Sequence, residues 1–115
     1  MTRHDDTVYV RHMLDAAKEA IKISGRIKRS DLAPFGMETL ALTRLLEVVG
    51  EAARRTSQQF RARYPEVEWK QIAGTRDRLI HGYDKVDYDR LWGTCINDLP
   101  PLVVKLEKVL ETTSK

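Results

Sequence analysis

"WKQIAGTRDRLIHGY", residues 69–83, carries an apolar stripe at helical spacing with a cation at its centre. Trp69, Ile72, Ala73, Leu79, Ile80 and Tyr83 stand at i, i+3, i+4, i+10, i+11 and i+14, one face of an α-helix at 100° per residue. Arg76 fills the i+7 place. A guanidinium keeps its proton, and burying one without a partner is costly. Arg76 therefore meets a carboxylate of its own chain, meets an anion on another chain, or lines a cleft. Glu47 and Glu51 of the preceding helix are the candidates for the first option.

The spacing predicts this helix over residues 68–81, ended near Gly82. Working outward, a first helix is expected over residues 5–24, with Val10, Met13, Leu14, Ala17 and Ile21 inward and Gly25 as its C-cap. "RIKRSDLAPFG", residues 26–36, is a loop broken by Pro34 and Gly36. A second helix spans residues 37–57, with Leu42, Leu45, Leu46, Val49, Ala52, Ala53 and Thr56 as its stripe. Gly50 inside it costs about 1 kcal/mol relative to Ala, an amount that close approach of another helix can offset. "QQFRARY" adds roughly one turn before Pro65.

Asp87 is the expected N-cap of the last helix, with Arg90 where a capping box would put Glu. Pro100 and Pro101 should break that helix, yet Leu91, Cys95, Leu99, Leu102, Leu106 and Val109 keep one phase across them. A kinked, continuing helix accounts for this. Strand signals are nearly absent. The expected fold is all-α: one domain over residues 1–115, an antiparallel four-helix bundle with a short extra helical turn and a last helix kinked at Pro100–Pro101.

Composition narrows the function classes. With 115 residues, 42% hydrophobic and 32% charged, the chain can bury a core and stay in solution. The lone Cys95 allows no intramolecular disulfide, and His4, His12 and His81 share no metal-ligand spacing. Neither a metal nor a cofactor is called for. The polar start "MTRHDDTVYV" is no signal peptide, and no apolar run approaches about 18 residues. A soluble, cytoplasmic protein without a membrane partner is expected. A net charge of +3 and a pI near 9.1 tolerate a nucleic-acid partner without demanding one.

On a continuous third helix with Arg76 at zero, Asp77 would lie at 100° and His81 at about 140°. Asp77 and His81 are then i, i+4, where a carboxylate can orient an imidazole. Tyr83 would share the azimuth of Arg76 if the helix went on, though Gly82 is placed to turn it. A fixed cation, a carboxylate, a titratable imidazole and a phenol converge at one helix end. The cation can steady an anionic phosphorane, and the imidazole can move protons near neutral pH. That set suits metal-free RNA cleavage by the substrate's own 2′-hydroxyl. The structural alternative is an Arg76 ion pair with Glu47 or Glu51, a surface His81 favoured by the helix dipole, and a packing Tyr83.

"RDRLIHGY", residues 76–83, resembles the R-x4-H-x-Y motif of HepT-like toxins in the HEPN superfamily. "LEVVGEAARR", "YPEVEWKQIAGTRDRLIHGY" and "VDYDRLWGTCINDLPPLVVKLE" resemble the same family in the same order, from about residue 40 to 110. The resemblance implies a homodimer of helical bundles whose arginines and histidines share a cleft between subunits. It implies a metal-independent endoribonuclease, the toxin of a toxin–antitoxin pair, and a partner nucleotidyltransferase of the MNT type as antitoxin. In some members that partner transfers AMP to the motif tyrosine. Carried onto this chain, Arg76 binds the scissile phosphate, His81 is the general acid or base, Asp77 positions them and Tyr83 accepts AMP. An isologous interface would supply two copies of each residue. The rival reading is a non-catalytic HEPN protein that binds nucleotide or scaffolds its nucleotidyltransferase.

Other residues carry weaker signals. Trp69 and Trp92 are spaced as core residues rather than stacking platforms. Arg26, Lys28 and Arg29, and separately Arg54, Arg55, Arg61 and Arg63, are solvated clusters or phosphate contacts. Cys95 reads as core, and His12 has no assigned role. The acidic run "DKVDYD" after the motif would repel an RNA backbone unless it faces away.

Overall fold

A computed structural model describes residues 5–81 and 85–113, with the backbone alone for His81. Helix α1 covers Asp6–Ser24 and is capped by Asp5, whose carboxylate accepts the Thr7 N–H at 3.0 Å. Val10, Met13, Leu14 and Ala17 are buried along it as the spacing requires. The loop that follows includes a 3-10 turn at Arg29–Asp31. Helix α2, Met37–Arg55, buries Leu42, Leu46, Val49, Ala52 and Ala53. Thr56 ends it, and Ser57 caps the short α3, Gln58–Arg63, by accepting the Phe60 N–H at 3.2 Å. The Arg61 guanidinium reaches back to Ala53 O at 2.7 Å and Arg54 O at 3.0 Å, satisfying carbonyls at the end of α2.

The segment expected as one third helix is two. Helix α4 spans Trp69–Ala73 and α5 spans Thr75–Leu79, with Gly74 at φ −89°, ψ 4° between them. Helical hydrogen bonding then stops three residues short of Gly82. Ile80 is extended, at φ −115° and ψ 117°. Strand β1, Ile80–His81, pairs antiparallel with β2, Lys85–Val86, in the register Ile80↔Val86 and His81↔Lys85. The break is filled from outside by Arg54, which donates to Ala73 O at 3.2 Å, and by Arg78, which donates to Gln71 O at 2.6 Å. These guanidiniums take over carbonyls at a helix end, as a regular helix would not need.

Helix α6, Tyr88–Gly93, is capped by Asp87 as expected, the carboxylate accepting the Arg90 N–H at 3.0 Å. A π turn at Thr94–Asp98 joins it to α7, Leu99–Thr113, so the chain stays helical through the proline pair. The Leu99 N–H bonds to Thr94 O, five residues back instead of four. Prolines lack an N–H and crowd the carbonyl four residues earlier. The wider turn lies just before Pro100 and Pro101, where that crowding has to be relieved. Leu91, Cys95, Leu99, Leu102, Leu106 and Val109 all remain buried.

The core lies between α1, α2 and α7, with α4 and α5 laid against α2. Gly50 marks that contact. A Cβ added there would stand 3.1 Å from Ile72 O. The architecture is all-α and HEPN-like, with the two-residue ladder as a small addition to it. Among the described residues no helix is long and apolar enough to cross a membrane.

Candidate functional site

Arg76 does not sit in the middle of a buried stripe. The break at Gly74 resets the helical phase, so Thr75 and Leu79, four apart, become the buried positions of α5. Trp69 is buried, while Ile72, Ala73 and Ile80 are half-buried. Arg76 falls outside, its side chain 56% exposed. Its Nε donates to Glu47 Oε2 of α2 at 3.2 Å, and the Glu47 side chain is 29% exposed. The first of the sequence options therefore holds, since Arg76 meets a carboxylate of its own chain. The bond uses Nε, and a guanidinium has five N–H donors. The cation is anchored along one edge with most of its surface in water.

Glu51, the other candidate partner, turns to Arg55 at 3.2 Å and Arg54 at 3.9 Å. That contact raises the Arg55 pKa above its ordinary value, the hydrogen bond to Glu51 being the largest cause. Asp77 is exposed in the first turn of α5. The expected i, i+4 relation of Asp77 to His81 does not exist, because the backbone is extended from Ile80 onward and the helical azimuth of His81 no longer applies. The ladder instead carries His81 away from α5 as a strand residue, opposite Lys85. The His81 side chain, and Tyr83 entirely, lie outside the described residues.

The basic clusters are largely engaged within the chain. Arg29 bonds Asp89 at 2.7 Å and lies 5.9 Å from the Tyr88 ring centroid. Its bond takes up one carboxylate of the acidic run after the motif. Arg54 and Arg61 cap helix ends. Trp69 is a core residue, its Nε1 donating to Tyr64 O at 2.9 Å. Cys95 is buried, and desolvation pushes its thiol up to about 11, which removes thiolate chemistry near neutral pH.

A cleft of about 450 Å³ opens on another side of the motif helix, between α4–α5 and the stretch from α6 to α7. Val49, Ile72, Leu99 and Leu102 contribute apolar lining, and Arg78, Arg90 and Lys105 bring positive charge. The sequence offered one pointer to it. Arg78 follows Arg76 by two residues, or 200° around a helix, so the two guanidiniums leave α5 on opposite sides. Asn97 and Asp98 were not legible, because the π turn that displays them has no simple signature.

Comparison with known proteins adds the following. The family described as Ribonuclease HepT-like matches residues 13–109. A protein of Caldanaerobacter subterraneus subsp. tengcongensis, provisionally named an RNase, is 34% identical over 103 residues, covering 90% of this chain and 92% of its own. A second, from Methanocaldococcus jannaschii and also provisionally named an RNase, is 32% identical over 109 residues, 95% of this chain and 100% of the relative. A protein of Thermococcus cleftensis, provisionally named ribonuclease HepT, is 42% identical over 69 residues, 60% of this chain and 63% of its own. No solved structure matches the chain.

Proposed function

Because this chain belongs to the Ribonuclease HepT-like family, we propose that it is a metal-independent endoribonuclease acting at a homodimer cleft, the toxin of a toxin–antitoxin pair. The observation that carries this reading is the Arg76 guanidinium, tethered by Nε to Glu47 and 56% exposed, on a helix that is followed at once by the strand Ile80–His81. A tethered cation open to water can take up a phosphate without a large reorganisation, which is the arrangement that stabilises developing charge best.

In this mechanism the RNA 2′-hydroxyl attacks the adjacent phosphorus and Arg76 steadies the phosphorane oxygens. His81 moves protons, removing one from the 2′-hydroxyl or supplying one to the departing 5′-oxygen. Asp77 positions the pair across the junction of α5 and β1 rather than along one helix face. The products are a 2′,3′-cyclic phosphate and a 5′-hydroxyl, so no water is consumed in the cleavage step. A cognate MNT-type nucleotidyltransferase neutralises the toxin by transferring AMP from ATP to the Tyr83 hydroxyl, with pyrophosphate as the leaving group.

The homodimer is supported by an exposed stripe on α2. Met37, Leu40, Arg44 and Glu47 follow at i, i+3, i+7 and i+10, with Met37 82% and Leu40 55% exposed. Met37 and Leu40, neighbours at i, i+3, are the apolar part of this row and suit a contact between subunits, and the row ends on the residue that holds Arg76.

The experiment is cleavage of RNA by purified protein in EDTA, comparing the wild type with Arg76→Ala and His81→Ala at equal helical content. Both variants should lose cleavage, together with the growth arrest the wild type causes. Retained toxicity in His81→Ala removes that residue from the mechanism. Incubation with the partner and ATP should add the mass of AMP to the wild type and not to Tyr83→Phe. The lost helical register between Asp77 and His81 favours one rival, a non-catalytic protein that binds nucleotide or scaffolds its partner. Intact RNA after prolonged incubation with the wild type decides for that rival.

A further inference from the structure

The cleft beside the motif helix has the make-up of a nucleotide site, and it lies apart from the Arg76–Glu47 pair. Its volume of about 450 Å³ falls within the range of roughly 300–1,000 Å³ found for small-molecule pockets. Its lining holds three cations, Arg78, Arg90 and Lys105, against two carboxylates, Glu68 and Asp98. Lys105 stands 3.9 Å from Glu68, and Arg90 Nε stands 3.7 Å from Asp87 Oδ2, so both pairs are loose. Arg78 gives Nη2 to Gln71 O, which fixes the guanidinium at the cleft wall while other donors remain on it.

The opposite wall is the π turn. Widening the helix by one residue displays Asn97 and Asp98 side by side, both exposed and both lining the cleft. Insertions of this kind recur at functional sites. An apolar floor suits the face of a base. A carboxamide and a carboxylate suit its edge, and arginines suit the phosphate attached to it. A carboxylate accepts two hydrogen bonds at once, and guanine is the base whose edge offers two adjacent N–H donors.

We propose that the cleft between α4–α5 and the α6–α7 stretch is a guanine-preferring ribonucleotide subsite, in which Arg78 and Arg90 hold the phosphate and Asn97 and Asp98 read the base. Its role as a subsite for the strand being cut rests on the nuclease reading above. Its binding chemistry does not, and the test separates the two.

The probe is a short 2′-O-methyl oligoribonucleotide, which binds and cannot be cleaved by its own 2′-oxygen, with G, A, C or U at one central position. The wild type should bind the G strand about tenfold more tightly than the U strand. Asp98→Ala should erase that preference. Arg90→Gln should weaken all four strands and reduce the slope of log affinity against log salt by about 0.7, the share of one phosphate contact. Lys108→Gln, a matched loss of charge outside the cleft, should change neither. Titration with GMP, followed through the amide resonances of residues 94–98, separates a free nucleotide from a strand as the ligand, and shifts with either support the subsite. Unchanged preference and salt slope in Asp98→Ala and Arg90→Gln overturn it, as does a wild type that binds neither a strand nor GMP. If cleavable RNA is cut while those variants bind normally, the subsite alone fails. If RNA is never cut while the preference holds, the nuclease reading fails and the subsite stands.

Discussion

Gly50 offers the sharpest test of how the motif segment is held. A Cβ at this position meets Ile72 O at 3.1 Å, Ala73 O at 3.7 Å and Thr75 Cβ at 3.9 Å. The first distance is tighter than ordinary contact, and its partner is backbone, which yields only if α4 moves. Gly50→Ala regains about 1 kcal/mol of helix propensity and loses a comparable amount to the crowding, so it should fall near the wild type. Gly50→Val adds two methyl groups at the same point. Overpacking of that kind costs about 1–3 kcal/mol, and a β-branched residue recovers only part of the propensity. The expected loss is about 2 kcal/mol, or about 8 °C in melting temperature for a domain of this size. Urea unfolding at fixed protein concentration should show a lower midpoint with the same slope. Because α4 leads into the helix bearing Arg76, RNA cleavage by Gly50→Val should also fall where the variant is still fully folded. A Val variant with the wild-type midpoint would refute the close-packing argument.

Asp6→Ala should destabilise the fold by about 2 kcal/mol, because Asp6 accepts both the Ser57 N–H and the Ser57 hydroxyl at 2.7 Å and so ties α1 to the start of α3; denaturant titration reads the loss. Glu47→Gln should cost less than about 1 kcal/mol, since Arg76 is more than half exposed, and a larger loss on unfolding would show the pair to be structural. Cys95, buried with its thiol raised to about 11, should resist alkylation at pH 8 until the protein unfolds. Below the ordinary thiol value both states carry the proton. Above it the unfolded state deprotonates first, so stability should fall by up to about 1.4 kcal/mol per pH unit until the folded thiol also titrates. Cys95→Ala should flatten that fall in melts run from pH 8 to 11.

The bundle was legible because its helices obey one period. Leu42, Leu46 and Val49, or Leu91, Cys95 and Leu99, sit inside where a 3.6-residue repeat puts them. Asp5 and Asp87 cap as their types predict. The motif helix departs from its apparent period for a local reason. Trp69, Ile72 and Ala73 share a phase with Leu79 and Ile80 on paper, but Gly74 resets the helix between them and Thr75 takes the inward place. Ile80 and Val86 are β-branched and pair across the ladder. Two residues per strand are too few for an alternation to register. The resemblance supplied the motif residues, and the fold chose between the two carboxylates that could meet Arg76. Glu47 lies 29 positions away in sequence, and no periodicity within one helix selects it over Glu51. The cleft was hidden for a similar reason, because it depends on a π turn and on Arg78, which also helps to close the break at Gly74.

That break has a dynamic consequence. Five-residue helices such as α4 and α5 are far below the length at which a helix persists by itself. Their order comes from anchors at either end, Trp69 and Leu79 in the core, and from arginines bridging the gap. Such a segment can open as a unit of its own, at a free energy below that of global unfolding. Its amide protons should exchange with solvent ahead of those in α1 and α2, and a strand of RNA that closes over it would slow that exchange.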